Sequence, residues 1–226
     1  MDRVLGPVVD AARDKVESML RSSAGPEEEL RRLAQPALGA DVVERVLELA
    51  RSLGKTGAPS GHDAYLSHPF RVARVAMTLR DGPDARTFTV GTLHNVYEIG
   101  NVGEAHLVER GVAPDDAAAI RLLTIDRSRE TDPSYLRAFY GAIEAHSEWL
   151  ALVRTVDKLD NVLGLQLLAE GPVKTSYIDL AERFVGPMAR ALDARLGAYF
   201  AEAIAFARAT PSDPARIADY ERRTRA

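Results

Sequence analysis

The chain of 226 residues contains no cysteine, which excludes disulfides, zinc–thiolate sites and cysteine nucleophiles. Aromatic residues amount to only 6%, while Ala, Leu, Arg and Glu are abundant, a balance that favours helices over sheets. No uninterrupted apolar run reaches the roughly 18 residues of a membrane span. Charge interrupts the first ten residues, Met1 to Asp10, too early for the apolar region of a signal peptide. An excess of positive charge is also missing. The formal net charge of −4 argues against broad nucleic-acid binding, which needs a strongly basic face, although the 29 Lys and Arg residues can still form local basic pockets. The length fits one domain, residues 1–226, at roughly 100–200 residues per domain. These bulk properties read as a soluble, cytoplasmic, all-α domain.

Periodicity along the chain predicts about ten helices and no strand. Val8, Ala12, Val16 and Leu20 recur every four residues, and a second helix starts at Glu27 with acid in its first turn. A third runs from an Asp41 cap, with Glu44 three residues on, to a terminal glycine at Gly54. Residues 54–64 read as a loop. The next helix is expected near His68-Pro69, with the proline in its first turn. Asp84 is a plausible cap for a helix through Val90, Leu93 and Tyr97. Further helices are expected near 104–110, 114–123, Pro133 to Glu144, Trp149 to Leu168, 178 to 209 with a break at Gly186-Pro187, and after Pro214.

Three short stretches carry candidate chemistry: Tyr65-Leu-Ser-His68-Pro69, His94-Asn95-Val-Tyr-Glu98, and Val156-Asp157-Lys158-Leu-Asp160-Asn161. Together they offer two imidazoles, an amide and a carboxylate to one metal ion. His94 and Glu98, four apart, share a face of one predicted helix. One of them could bind a metal while the other holds or deprotonates its water. A surface His–Glu pair is the commoner arrangement at that spacing, but Val90, Leu93 and Val96 place His94 at the edge of the core. Asp157 lies in an otherwise apolar helix, where a carboxylate costs several kcal/mol unless it is paired or metal-bound; a salt bridge to Arg154 or Lys158 is the alternative. His62 sits in the preceding loop, and His106 and His146 are expected to be exposed. Arg51, Lys55, Arg71, Arg74, Arg127, Arg129 and Lys158 flank the candidates, and such side chains commonly hold phosphate. Lys158 leads this group, followed by Arg51 and Lys55.

In this order the stretches resemble the HD-domain superfamily of metal-dependent phosphohydrolases, above all the hydrolase domain of alarmone (guanosine tetraphosphate) hydrolases. The likeness spans about residues 45–168 and includes Leu123-Thr124 before the linking segment. It implies a helical bundle with residues 41–170 as its core and the site at the centre. Residues 1–40 would form an N-terminal helical extension and 171–226 C-terminal helices, packed on the core or forming a homo-oligomer interface. It implies His68, His94 and Asp157 as metal ligands, joined by Asn95 in the place of the usual aspartate. Glu98 would orient or deprotonate the attacking water. Tyr65, Lys158 and Asn161 would face substrate, and Arg51 or Lys55 would stand for the family's base-stacking arginine. The implied cofactor is one divalent ion, usually manganese, with iron, cobalt or zinc also compatible with imidazole and oxygen ligands.

Two positions depart from the family pattern. Asn95 brings no charge to the metal, so it binds more weakly and leaves the ion more electrophilic. Ile99 replaces a polar group that the alarmone enzymes carry near the water. The expected function is hydrolysis of a nucleotide or another small phosphorylated metabolite. The alternative is a degenerate HD domain that binds a ligand or regulates without catalysis. Di-iron oxygenase chemistry would need more His and carboxylate ligands than these stretches offer.

Overall fold

The computed structural model describes residues 6–20, 24–57, 62–80, 82–99 and 102–225. Among them there is no strand. The chain opens with α1 (Val8–Leu20), α2 (Ala24–Leu38), α3 (Ala40–Gly57) and α4 (His62–Leu79). Next come α5 (Ala85–Leu93), α6 (Val96–Ile99), α7 (Glu104–Glu109) and α8 (Pro114–Leu123). The second half contains α9 (Pro133–His146), α10 (Glu148–Leu163), α11 (Pro172–Leu180), α12 (Gly186–Leu192), α13 (Ala194–Ala209) and α14 (Pro214–Arg225).

Side-chain caps set many of the starts. Asp84 accepts from Thr87 N to begin α5, Asp132 accepts from Ser134 N and Tyr135 N ahead of Pro133 in α9, and Ser147 accepts from Leu150 N in α10. Each of these satisfies N–H groups that a helix start leaves without partners.

Four expected boundaries moved. Asp41 is not the cap of α3. The chain reverses at Gly39, whose φ of +84° lies in the left-handed region open to glycine, and α3 starts at Ala40 with Asp41 in its first turn. Gly54 does not end α3, which continues to Gly57. Pro69 is not in a first turn but inside α4, which begins at His62; it removes one backbone donor without ending the helix. The expected break at Gly186-Pro187 is instead a π turn over Ala181–Val185. Gly186 N donates back to Ala181 O across it, and the chain breaks at Asp193, whose side chain caps α13.

Helix α10 is the axis of the fold. Of its residues, Leu150–Asp157 are all buried, along with Leu159, Asp160, Val162 and Leu163. It packs on α1, α4, α5, α9, α12 and α13. Helix α5 lies very close against α4. A Cβ on Gly91 would come within 2.8 Å of the Ala73 Cα, so only a glycine permits this approach. That crossing brings the ends of α4 and α5 that carry histidines over the middle of α10.

Candidate metal centre

His68 on α4, His94 at the end of α5 and Asp157 on α10 converge. The Nε2 atoms of the two histidines are 3.2 Å apart. Asp157 Oδ1 is 3.3 Å from His68 Nε2 and 3.7 Å from His94 Nε2. His94 is 2% exposed and Asp157 3%.

The outer nitrogens fix the tautomers. His94 Nδ1 lies 2.7 Å from the Gly91 carbonyl oxygen, which can only accept. His68 Nδ1 lies 2.7 Å from Asp160 Oδ2, and Asp160 is itself held charged by Arg71 Nε at 2.8 Å and by Lys15. Both Nδ1 atoms are therefore donors, which leaves each Nε2 facing inward as the atom available to a metal ion. Two such nitrogens and a carboxylate oxygen facing one point repel unless a proton or a metal ion stands among them. The three separations are those of ligands around one ion at the usual ~2.0–2.2 Å. Anchored outer nitrogens are also how metal-binding imidazoles are oriented. The donor set fits a divalent ion.

The two aspartates of α10 are surrounded by cations. Burial opposes the charged form of Asp157, but Lys158 and Arg154 beside it hold its carboxyl well below the usual range. Arg154 Nη1 donates to Asp157 Oδ2 at 2.8 Å, Lys158 Nζ lies 3.4 Å away, and Asn161 donates to Oδ1 at 2.9 Å. The salt bridge to Arg154 therefore leaves the metal-ligand reading of Asp157 open, because its two oxygens face different groups. Asp160 is likewise held low against burial, by Lys15 and Arg71.

The helix expected to run unbroken through His94 and Glu98 is interrupted: α5 ends at Leu93 and α6 begins at Val96. The Gly91 carbonyl, which a continuing helix would offer to Asn95 N–H, receives the His94 Nδ1–H, and such local side-chain bonds compete with the helix ladder. Glu98 consequently turns to Arg127, whose Nη2 donates to Oε2 at 2.6 Å. Asn95 lies beside Tyr65 in the cleft wall. Burial, then the charge of Glu98, raises the pKa of that phenol.

A cleft of about 890 Å³ is lined by His68 and Asp157 of the triad. Tyr65, Asn95, Glu98, Ile99, Lys158 and Asn161 all line it. Arg51 does not; its guanidinium is held by Glu27 at 2.8 Å. It is a brace between α2 and α3, not a cleft residue. The side chains of Lys55 and His62 lie outside the described residues. Arg71 braces Asp160, Arg74 pairs with Glu29 at 3.3 Å, and Arg129 stacks on Tyr135. His146 is exposed, whereas His106, expected to be so, is half-buried.

Sequence reasoning missed Lys15 and Tyr220, both of which line the cleft. The signal for Lys15 was present: it lies seven residues after Val8 and beside Val16, on the buried face of α1, where a lysine needs a partner. Tyr220 in α14 had no such signal.

No family model matches the chain. No curated protein sequence matches it either. A solved structure does, that of a metazoan ortholog of SpoT that hydrolyzes ppGpp and plays a role in starvation responses. The TM-score is 0.58 at 21% identity, over 74% of this chain and 94% of that one. The fold is the HD-domain helical fold. Among the described residues, no helix is long and apolar enough to cross a membrane.

Proposed function

We propose that this protein is a divalent-metal-dependent phosphohydrolase acting on a nucleotide or another small phosphorylated metabolite. One observation carries this reading: two Nε2 atoms and a carboxylate oxygen meet at 3.2–3.7 Å at the floor of an open cleft. His68, His94 and Asp157 would hold the ion. Asn95, which lines the cleft with His68 and Asp157, would add its carbonyl oxygen. When bound, such an ion supplies a Lewis acid for a phosphoryl oxygen and lowers the pKa of water toward about 7.

The remaining work falls to the chain. Glu98 accepts the proton of the attacking water. Lys158 and Arg127 receive phosphate oxygens, and Asn161 orients Asp157. Arg127 is two-thirds exposed and bonded to Glu98, so a bound phosphate competes for it and releases the Glu98 carboxylate at the moment of binding. The ppGpp hydrolysis of the structural neighbour makes guanosine tetraphosphate a natural member of the substrate panel. Ile99 in the cleft wall favours including other phosphorylated compounds.

The test is phosphate release from a nucleotide panel by manganese-loaded protein, with Asp157→Ala in parallel. Metal-dependent turnover that disappears in the variant is the expected result. Metal binding without turnover on any substrate would overturn the enzymatic reading and leave the regulatory one, which Asn95 and Ile99 favour.

A further inference from the structure

Lys15 is the most deeply buried cation of α1, at 1% exposure, and the phosphohydrolase reading assigns it no role. Its ammonium meets Asp160 Oδ2, the same oxygen that accepts from His68 Nδ1 at 2.7 Å. Asp160 Oδ1 accepts from Arg71 Nε at 2.8 Å. Asp160 follows Asp157 by three residues in α10, and residues three apart lie on the same helix face. One face of α10 thus carries both a candidate ligand and the brace for another.

We propose that Asp160 is the positioning residue that holds the His68 imidazole in its metal-binding orientation, and that Lys15 acts through Asp160, making α1 part of the metal centre. The inference rests on the metal reading of the triad. An imidazole can turn about its ring bond, and with Nδ1 tethered to a carboxylate only Nε2 points inward; such outer partners commonly set 10–100-fold of metal affinity. A carboxylate 5% exposed needs compensating cations. Arg71, from the helix of His68 itself, supplies one on Oδ1. Lys15 supplies the other on the oxygen that His68 uses, and so fixes the position of that oxygen. Without α1, Asp160 would be free to turn toward Arg71 and away from the ring. Helix α1 packs on both α4 and α10, so its placement decides how well the two ligand-bearing helices are joined at this point.

The experiment is Mn²⁺ titration calorimetry on the full chain and on Asp160→Asn, Lys15→Met and the double variant. Circular dichroism and metal-free melting of each protein establish that it is folded. Asp160→Asn should weaken Mn²⁺ binding roughly 10–100-fold, and Lys15→Met should weaken it less. The double variant should bind no more weakly than Asp160→Asn alone, because Lys15 has no route to His68 except through Asp160. Lys15→Met alone leaves a buried charge short of a partner and is at risk of misfolding. The double variant removes both charges together and keeps the comparison available. Unchanged affinity in folded Asp160→Asn or in the folded double variant would overturn the positioning role while leaving the metal centre intact. Additive losses would show that Lys15 acts by another route. Absence of Mn²⁺ binding by the unaltered protein would overturn the metal reading and this inference together.

Discussion

The two walls of the cleft are built differently. The floor, made by α1, α4, the end of α5 and α10, consists of buried charged and polar groups with named partners: His68 with Asp160, His94 with Gly91, Asp157 with Arg154 and Asn161. The opposite wall, from α6 and the segment after α8, carries Asn95, Ile99 and the half-exposed Glu98–Arg127 pair. The floor is locked by bonds that exclude other arrangements. The wall is held by ion pairs of the largely exposed Arg127 with Glu98 and Glu130, and surface pairs are typically worth ~0–1 kcal/mol. On the proposed function, holding an ion and acting on substrate therefore fall to separable parts of the cleft: the floor residues each have several fixed partners, while the wall offers few polar groups.

The most severe way to break the floor is Asp157→Ala. It removes a candidate ligand and leaves Arg154, itself 2% exposed, without its carboxylate; removing one partner of a buried pair commonly costs ~3–5 kcal/mol. Bound metal should vanish by elemental analysis and the denaturant midpoint should fall accordingly. Next is Gly91→Ala, whose Cβ would meet the Ala73 Cα at 2.8 Å. Overpacking of this kind costs ~1–3 kcal/mol, and by separating α4 from α5 it should weaken metal binding as well. A melting point and a metal affinity both equal to the parent's would show that the close crossing does not set the site.

The opposite wall should respond in the other direction. Asn95→Asp restores a charged oxygen and should tighten Mn²⁺ binding by roughly tenfold, the ~1.4 kcal/mol by which a charged acceptor commonly exceeds a neutral one. Unchanged affinity on calorimetry would place residue 95 outside the coordination sphere.

The smallest effect belongs far from both walls. Hydrogen bonds from Lys174 and Ser212 lower the Glu170 pKa to about 2. Its folded value lies below the unfolded one of ~4.3, so its contribution is present above that pH and is lost as pH falls toward 2. Glu170→Gln should therefore slightly flatten the acid limb of a melting-point-against-pH curve and leave metal affinity unchanged. A shift in metal affinity would mean that the C-terminal helices feed into the floor.

Much of this molecule was legible in the sequence, and what was not has a common cause. The apolar period of α10, the Asp84 cap and the helix start at Pro133 depend on neighbours within a turn or two, so the helices could be read locally. His68, His94 and Asp157 could be singled out because their motifs are local as well. The run through His94 to Glu98 was misjudged because the interruption depends on a histidine bonding its own helix, which periodicity does not register. The partner of Arg51 could not be read from adjacency along the chain; Glu27, 24 residues away, holds it. The sequence by itself determined an all-helical chain, the candidate ligand types and the neutral residue at position 95. Tertiary structure alone decided that Lys15, 145 residues from Asp160, would meet it and so brace His68. A buried charge is paired by whichever helices pack together, and packing joins residues that no local pattern relates.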